Sequence, residues 1–164
     1  MHKKTLFVDF ERCTGCRICE LACSLYKEGE VNPSRSRIHV VKWEEEGIDL
    51  PIVCQQCEEP LCEAVCPTKA ITRNPDTGAL VVDYNKCIGC RTCILACPFG
   101  GIAFDPVERR IMKCDLCEGE PKCAQFCPTE ALAYVDFTRL TYMKKREAAK
   151  RLSRLMEMLL APAR

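Results

Sequence analysis

The sequence is poor in aromatic residues and contains only two histidines. Phe, Trp and Tyr make up 7% of its 164 residues. A chain with so few large side chains is not expected to form a large apolar core, so something other than packing must stabilise it. The sequence also lacks the G-x-x-x-x-G-K-[ST] and G-x-G-x-x-G motifs, so neither a nucleotide nor a flavin is implied. No group of residues suggests acid–base or nucleophilic catalysis, and we expect a protein that is not itself an enzyme.

Long apolar segments are missing as well. The first residues, MHKKTLFVDFERC, contain neither an apolar run of seven nor a small-residue cleavage site. No stretch reaches the 18 apolar residues that a membrane-spanning helix requires. The sequence therefore predicts a cytoplasmic protein with no direct membrane span, in a compartment where thiols stay reduced.

Cysteine, in contrast, is abundant, with 16 residues. In a reducing compartment such a density indicates metal binding rather than disulfides. The cysteines fall into four sets of four, and none is left over. The sets are Cys13, Cys16, Cys19 and Cys23; Cys54, Cys57, Cys62 and Cys66; Cys87, Cys90, Cys93 and Cys97; and Cys114, Cys117, Cys123 and Cys127.

The four motifs form a duplicated two-motif unit. Residues 8–23 (VDFERCTGCRICELAC) align without gaps with residues 82–97 (VDYNKCIGCRTCILAC), and the second motif matches the fourth with one inserted residue. Gly15 and Gly89 occupy the same place in this repeat, where glycine fits a tight turn beside a bulky ligand. Proline follows the last cysteine of every motif but the first, which has Ser24 instead.

The third motif has the spacing C-x2-C-x2-C-x3-C-P, which is typical of paired [4Fe–4S] clusters in bacterial ferredoxins. Three cysteines at such short intervals reach three corners of a cubane, and the fourth cysteine binds the other cluster of the pair. Four motifs therefore predict four [4Fe–4S] clusters held by all 16 cysteines. Structural zinc, which normally uses two separated cysteine pairs, and disulfides are the alternatives.

All four motifs resemble those of four-cluster ferredoxin-like electron-transfer subunits of multisubunit redox enzymes. With CTGCRICELACSLYKEGEVNPSRSRI near its start, the sequence is most similar to the small subunits of tungsten aldehyde:ferredoxin oxidoreductase-type enzymes. The resemblance implies a relay of single electrons between a large catalytic subunit with a tungsten or molybdenum cofactor and an acceptor or donor, such as a third electron-accepting subunit. Hydrogenase, formate dehydrogenase or carbon monoxide dehydrogenase are alternative partners. A free soluble polyferredoxin is an alternative function.

The resemblance also implies how the motifs share ligands, because in this family the first motif pairs with the fourth and the second with the third. The implied ligands are Cys13, Cys16, Cys19 and Cys127 for cluster 1; Cys54, Cys57, Cys62 and Cys97 for cluster 2; Cys87, Cys90, Cys93 and Cys66 for cluster 3; and Cys114, Cys117, Cys123 and Cys23 for cluster 4. Cations within or beside the motifs are candidates for setting the order of reduction potentials. They are Arg12, Arg17, Lys86, Arg91, Lys113 and Lys122.

The predicted fold is α+β, with two pseudo-symmetric bacterial-ferredoxin-like (diferredoxin) units around four clusters in residues 1–137. The segments TLFVDF, ALVVDY and ALAYVDF favour short strands, and RIHVVKW and DLPIV, separated by EEEG, favour a hairpin. We expect short helices to follow the cysteine–proline steps, where the chain changes direction.

Residues 138–164 form a predicted basic amphipathic helix for docking or assembly. They carry a net charge of +6, whereas residues 1–137 carry −5. Four clusters at about −2 each would move the net charge from +1 to about −7. We therefore expect this helix to bind the catalytic subunit or further copies of the chain in an extended assembly, and neither nucleic acid nor a membrane surface. Packing on its own domain is the alternative. The apolar stripe comprises Leu140, Met143, Leu152, Leu155, Met156, Leu159 and Leu160.

Overall fold

Short strands and short helices alternate along the chain. The structure is a computed structural model that describes residues 4–160, with side chains described as far as residue 156. Within these residues the strands are β1 (Lys4–Val8), β2 (Ile38–Trp43), β3 (Ile48–Val53), β4 (Ile71–Arg73), β5 (Leu80–Val82), β6 (Ile102–Asp105), β7 (Arg110–Lys113) and β8 (Leu132–Asp136). The α-helices are α1 (Ile18–Glu28), α2 (Leu61–Ala64), α3 (Thr92–Ala96), α4 (Lys122–Gln125) and α5 (Phe137–Leu160). This small mixed fold confirms the expected α+β class, and the pseudo-symmetry of its two units stays a prediction.

The strands pair as four antiparallel two-stranded ribbons. Strands β2 and β3 form the predicted hairpin, with Ile38 opposite Val53. Strands β4 and β5 are joined by the NPDTG turn, in which the Asn74 side chain accepts hydrogen bonds from the next backbone N–H groups. Strands β6 and β7 form a second hairpin, and β1 pairs with β8, from the far end of the chain. A two-stranded ribbon is only marginally stable alone, so the fold depends on contacts between the ribbons and the rest of the chain.

The short helices precede the cysteine–proline steps, so the expectation that they follow these steps was wrong. Helices α2, α3 and α4 each contain the third cysteine of a motif and end before the fourth. Proline disfavours helical backbone at the residue before it, so the helix ends there. A turn follows and leads into β4 after Pro67, β6 after Pro98 and β8 after Pro128.

Helix α1 is longer because its motif has no proline. It continues through Cys23 and ends at Gly29, which is left-handed at φ +73°. Ser24, which stands in place of proline, is fully buried. Its hydroxyl donates to the Leu21 carbonyl at 3.2 Å and accepts from the Asn32 N–H at 3.1 Å. The serine therefore allows the helix to continue and anchors the chain after it.

Cysteine side chains form much of the buried core, which has two parts. One part contains cysteines of the first and fourth motifs with Cys54, together with Leu6, Ile38, Val53, Leu116 and Leu132 among others. The other contains cysteines of the second and third motifs, with Ile71, Leu80, Ile102 and Ile111. Motifs that are distant in sequence are therefore neighbours in the structure.

Helix α5 agrees with the predicted C-terminal helix as far as Leu160 and begins one residue earlier, at Phe137. Residues 161–164 of that prediction lie outside the described residues. Lys144 lies 4.8 Å from the centroid of the Phe7 ring on β1, and Arg151 pairs with Glu11. Further along, Leu152, Leu155 and Met156 are more than half exposed. The side chains of Leu159 and Leu160 lie outside the described residues. In the part of the chain that the structure covers, no helix is long and apolar enough to cross a membrane.

Candidate metal centres

Three cavities in the described part of the chain are each lined by four cysteines. Their empty volumes are similar, at about 300, 320 and 330 Å³. In each cavity three cysteines come from one motif and the fourth comes from the motif that the family resemblance pairs with it. The cysteine linings are Cys13, Cys16, Cys19 and Cys127; Cys23, Cys114, Cys117 and Cys123; and Cys66, Cys87, Cys90 and Cys93. The structure thus brings together cysteines of different motifs that are 21 to 114 positions apart, in the groups expected for clusters 1, 4 and 3.

The remaining cysteines are Cys54, Cys57, Cys62 and Cys97. Burial raises the pKa of the Cys62 thiol, the charge of Lys113 opposes this rise, and the charges of Cys54 and Cys97 add to it. Cys62 and Cys97 belong to the same part of the core, and Lys113 Nζ lies 3.0 Å from Cys54 Sγ. These positions agree with the ligand set expected for cluster 2, which also includes Cys57. All four ligand sets stay predictions.

Burial disfavours the ionised, thiolate form of several of these cysteines unless a cation lies beside them. Burial raises the pKa of Cys19 and Cys114 to about 12 and that of Cys93 to about 11, and neighbouring negative groups add to the effect. Thiolate is the form that binds metal, and a bound cation removes the proton. Four convergent sulfur donors in one cavity fit an iron–sulfur cluster, whose iron would supply the missing positive charge.

Hydrogen-bond donors already point at several sulfurs. The Arg37 N–H donates to Cys23 Sγ at 3.3 Å, and the Ala70 N–H donates to Cys66 Sγ at 3.2 Å. Burial opposes ionisation of Cys66, but the Ala70 N–H and the Thr68 hydroxyl outweigh it and lower the pKa of this thiol. The same holds for Cys127, which the Thr129 hydroxyl also contacts. N–H groups directed at sulfur are one means by which proteins tune cluster potentials.

The cysteine loops turn through left-handed backbone at equivalent positions of the repeat. Gly15 and Gly89 have φ values of +62° and +67°, which confirms the expected role of glycine there. Arg17 and Arg91, two residues further on, have φ values of 60° and 64°. A non-glycine residue adopts this conformation at a cost of roughly 1–3 kcal/mol, and the sequence alone did not indicate it. The two loops therefore share one strained shape around their cysteines.

The six candidate cations differ in their surroundings. Arg12, Lys86 and Lys122 pair with Glu130, Asp83 and Glu120. Arg91 lies over the Phe104 ring at 3.8 Å. Lys113 is buried, and its ammonium donates to Cys54 Sγ at 3.0 Å.

A buried charge network connects the two parts of the core. Arg35 Nη2 donates to Asp105 at 2.7 Å, to Glu28 at 2.8 Å and to Glu108 at 3.0 Å. Glu28 lies at the end of α1, and Asp105 lies at the end of β6. These three carboxylates are close enough to hold a metal ion, but Arg35 already lies among them. The network is therefore best explained as a structural link, which the sequence did not reveal because its partners are about 70 residues apart.

Comparison with known proteins places the chain in a family. Residues 46–137 match the family model described as a 4Fe-4S dicluster domain, and residues 10–27 match a 4Fe-4S binding domain. The chain belongs to the 4Fe-4S dicluster domain family. It is a ferredoxin-like electron-transfer protein with iron–sulfur binding domains, as the cysteine motifs predicted.

Particular relatives carry names of redox-enzyme subunits. The chain is 44% identical over 123 residues to the polyferredoxin-like subunit of an aliphatic sulfonate oxidoreductase from Pyrococcus furiosus, covering 74% of this chain and 70% of the relative. It is 38% identical over 158 residues to one subunit of anaerobic dimethyl sulfoxide reductase from Escherichia coli K12, covering 85% and 75%. The solved active site complex BamBC of benzoyl coenzyme A reductase, as isolated, contains a similar chain. The two chains superpose with a TM-score of 0.50 at 28% sequence identity. The match covers 81% of our chain and 76% of the chain in the complex.

Proposed function

We propose that this chain relays single electrons through four [4Fe–4S] clusters between a catalytic oxidoreductase subunit and an electron acceptor or donor. Three cysteine-lined cavities of nearly equal volume carry this proposal. Each would hold one cluster by three cysteines of one motif and one of its partner motif. A fourth cluster would be held by Cys54, Cys57, Cys62 and Cys97. Bound clusters would supply one-electron redox chemistry, and the chain's residues would hold them and direct N–H groups at the sulfurs.

The proposed partner is a large catalytic subunit with a tungsten or molybdenum cofactor, in the cytoplasm. Relatives named as subunits of sulfonate and dimethyl sulfoxide enzymes support a catalytic partner. The resemblance of residues 13–38 to small subunits of tungsten aldehyde:ferredoxin oxidoreductase-type enzymes supports the choice of metal. Purification of the tagged chain from its native host should yield a larger chain that contains tungsten or molybdenum. Copurified nickel would instead indicate a hydrogenase or carbon monoxide dehydrogenase, and a chain that purifies alone would indicate a free polyferredoxin.

Metal analysis tests the clusters themselves. After anaerobic purification the chain should contain about 16 iron and about 16 acid-labile sulfide, since each cubane has four of each. Zinc in place of iron would contradict the proposal, and about 8 iron would reduce the relay to two clusters.

Spectroscopy distinguishes a relay from inert structural clusters. Reduction with dithionite should produce electron paramagnetic resonance signals broadened by interaction between neighbouring clusters, because the cysteine sets of each core lie side by side. Clusters that remain silent through a full reductive titration would indicate a structural role.

A further inference from the structure

Lys113 is a buried lysine at the junction of two cysteine sets. Lys113 is only 4% exposed. The ammonium donates to Cys54 Sγ at 3.0 Å, to the Leu80 carbonyl at 2.9 Å and, more weakly, to the Cys114 carbonyl at 3.4 Å. These contacts use all three of its hydrogens. The nitrogen therefore has a defined position against a cysteine sulfur.

Lys113 differs from the other lysines near the motifs in its ion-pair partners. Among the residues whose side chains the structure describes, no carboxylate lies within ion-pair distance of Lys113, whereas Lys27, Lys86 and Lys122 each have one. A buried cation is costly unless negative charge compensates it. Two of its three acceptors are neutral backbone carbonyls, and the third is the sulfur of Cys54. A cluster with four thiolates carries about −2. The natural counter-ion of Lys113 is therefore a cluster on Cys54.

The neighbouring backbone fixes this arrangement. Gln56 is buried; it accepts from the Leu80 N–H at 2.8 Å and donates to the Cys114 carbonyl at 2.9 Å. Gln56 and Lys113 thus hold the same two backbone segments, β5 and the start of the fourth motif. Lys113 cannot turn to solvent without breaking these contacts.

The sequence repeat shows that this cation breaks an internal symmetry. Lys113 directly precedes the first cysteine of the fourth motif, and Val53 directly precedes the first cysteine of the second. Val53 is fully buried and lines the cavity of Cys23, Cys114, Cys117 and Cys123. Each residue therefore faces the other motif's site. One site receives an ammonium group from this position, and the other receives two methyl groups.

We propose that Lys113 raises the reduction potential of the cluster held by Cys54, Cys57, Cys62 and Cys97. This inference rests on the proposed function, because it requires a cluster at these cysteines. Reduction adds one negative charge, which a fixed cation at 3.0 Å from a ligand sulfur stabilises. Hydrogen bonds to ligand sulfurs also shift cluster potentials. In a buried site neither effect is strongly screened by salt.

The test compares full-length Lys113→Met and Lys113→Gln with the unsubstituted chain, each loaded with clusters. The measurement is a redox titration followed by electron paramagnetic resonance. In Lys113→Met, the ratio of reduced to oxidised form of one cluster should fall roughly tenfold at a fixed potential. This fall corresponds to a reduction potential lower by about 59 mV for one electron. Lys113→Gln retains an N–H donor without the charge and should give a smaller shift. Lys113→Arg, which retains the charge, should remain closer to the unsubstituted chain than either. Unchanged potentials in a fully loaded Lys113→Met protein would overturn the proposal.

Lys86 provides the matched control. It directly precedes the first cysteine of the third motif, but its side chain is 60% exposed and pairs with Asp83 at 3.4 Å. Because solvent and Asp83 screen its charge, Lys86→Met should shift every potential far less than Lys113→Met. Equal shifts in the two variants would show that only overall charge matters, which would also overturn the proposal.

A measurement on the unsubstituted chain keeps the test decisive when a variant loses iron. With lysine labelled with ¹⁵N at Nζ alone, pulsed electron paramagnetic resonance of the reduced protein should detect a nitrogen coupled to one cluster. Absence of that coupling in the fully loaded chain overturns the role of Lys113 and leaves the relay intact. An iron deficit in the unsubstituted chain, in contrast, overturns the proposed function and this inference together.

Discussion

At the scale of single residues, the last cysteine of each motif has a different environment from the first three. Cys66 lies in the cavity lined by Cys87, Cys90 and Cys93, although its own motif neighbours are Cys54, Cys57 and Cys62. Cys127 likewise lies with Cys13, Cys16 and Cys19. Proline after Cys66 and Cys127 ends the preceding helix, and the chain turns there. The first, second and fourth motifs each place their last cysteine in a cavity with three cysteines of another motif, and the same exchange for Cys97 stays a prediction.

Cys66→Ala tests this exchange. It should remove the cluster at Cys87, Cys90 and Cys93, since one of four ligands is lost, and leave the cluster at Cys54, Cys57 and Cys62 in place. The iron content should fall by about a quarter. Cys97→Ala is the matched control, because it should affect the other cluster of the pair. Identical electron paramagnetic resonance spectra of the two variants would contradict the exchange.

Gly101 is a second residue whose role depends on close contact. A Cβ at this position would lie 2.7 Å from the Cys54 Cα and 2.9 Å from its backbone N. Gly101→Ala should therefore displace Cys54, at a cost of about 1–3 kcal/mol, as is typical of overpacking. We expect loss of one cluster, measured as iron per chain. Gly47→Ala, in the β2–β3 turn, meets no atom within 4 Å and should retain all its iron despite its φ of +66°.

At the scale of secondary-structure elements, most of the ribbons and helices are too short to be stable alone. Three of the α-helices have four or five residues, and two of the ribbons pair only three or four residues of each strand. Such elements gain stability from tertiary contacts rather than from intrinsic propensity. The cysteine sites and the network around Arg35 supply those contacts. Asp105 is the network's fully buried carboxylate at the end of β6.

Asp105→Asn should weaken the link between α1 and the β6–β7 hairpin. Burial opposes ionisation of Asp105, but the hydrogen bonds from Arg35 outweigh it and lower the pKa of the carboxyl group. Its contribution is fully present above the ordinary pKa of about 3.9 and is lost as the pH falls through the lowered pKa. At pH 7 we expect a loss of about 2 kcal/mol in the free energy of unfolding. Anaerobic guanidinium unfolding measures this loss. Asp76→Asn, at an exposed carboxylate, is the control, and equal unfolding midpoints for the two variants would contradict the prediction.

At the scale of the whole molecule, charge is divided between an acidic body and a basic tail. Residues 1–137 carry −5 and residues 138–164 carry +6, before any cluster is counted. The first half of α5 contacts β1 and β8, while Leu152, Leu155 and Met156 project into solvent. An apolar group of this kind beside cationic residues favours an interface with an acidic surface. The docking role of residues 138–164 remains our proposal.

A chain that ends at Phe137 tests that role. It should retain all its clusters, since the 16 cysteines precede this residue, but assemble less with the catalytic subunit or with further copies. Light scattering at low and high salt measures the assembly, and salt should weaken the ionic part of the contact. Leu152→Ser combined with Leu155→Ser should have a smaller effect in the same direction, with Ala149→Ser as control. Unchanged assembly of the shortened chain would contradict the docking role of α5. Loss of its iron would show instead that α5 is part of the fold.

Local sequence patterns were enough to predict the kind of site, the hairpin and the C-terminal helix. Cysteine spacing is a local property, so the motif of residues 87–97 indicated iron–sulfur binding without any knowledge of the fold. Strand-favouring residues likewise predicted the β2–β3 hairpin, and the amphipathic pattern of residues 138–164 predicted helix α5. The helices at the cysteine–proline steps were misplaced. Proline there ends the preceding helix, and the residues that follow form strands.

Which distant groups meet became known from the folded chain. The proximity of Cys127 to Cys13, of Arg35 to Asp105 and of Lys113 to Cys54 depends on contacts between residues 59 to 114 positions apart. No periodicity or spacing encodes such contacts, because they arise from the packing of separate ribbons around shared sites. The sequence named Lys113 as one of six similar cations. Burial against the Cys54 sulfur distinguished it, since a charge removed from water interacts far more strongly with its neighbours than one at the surface.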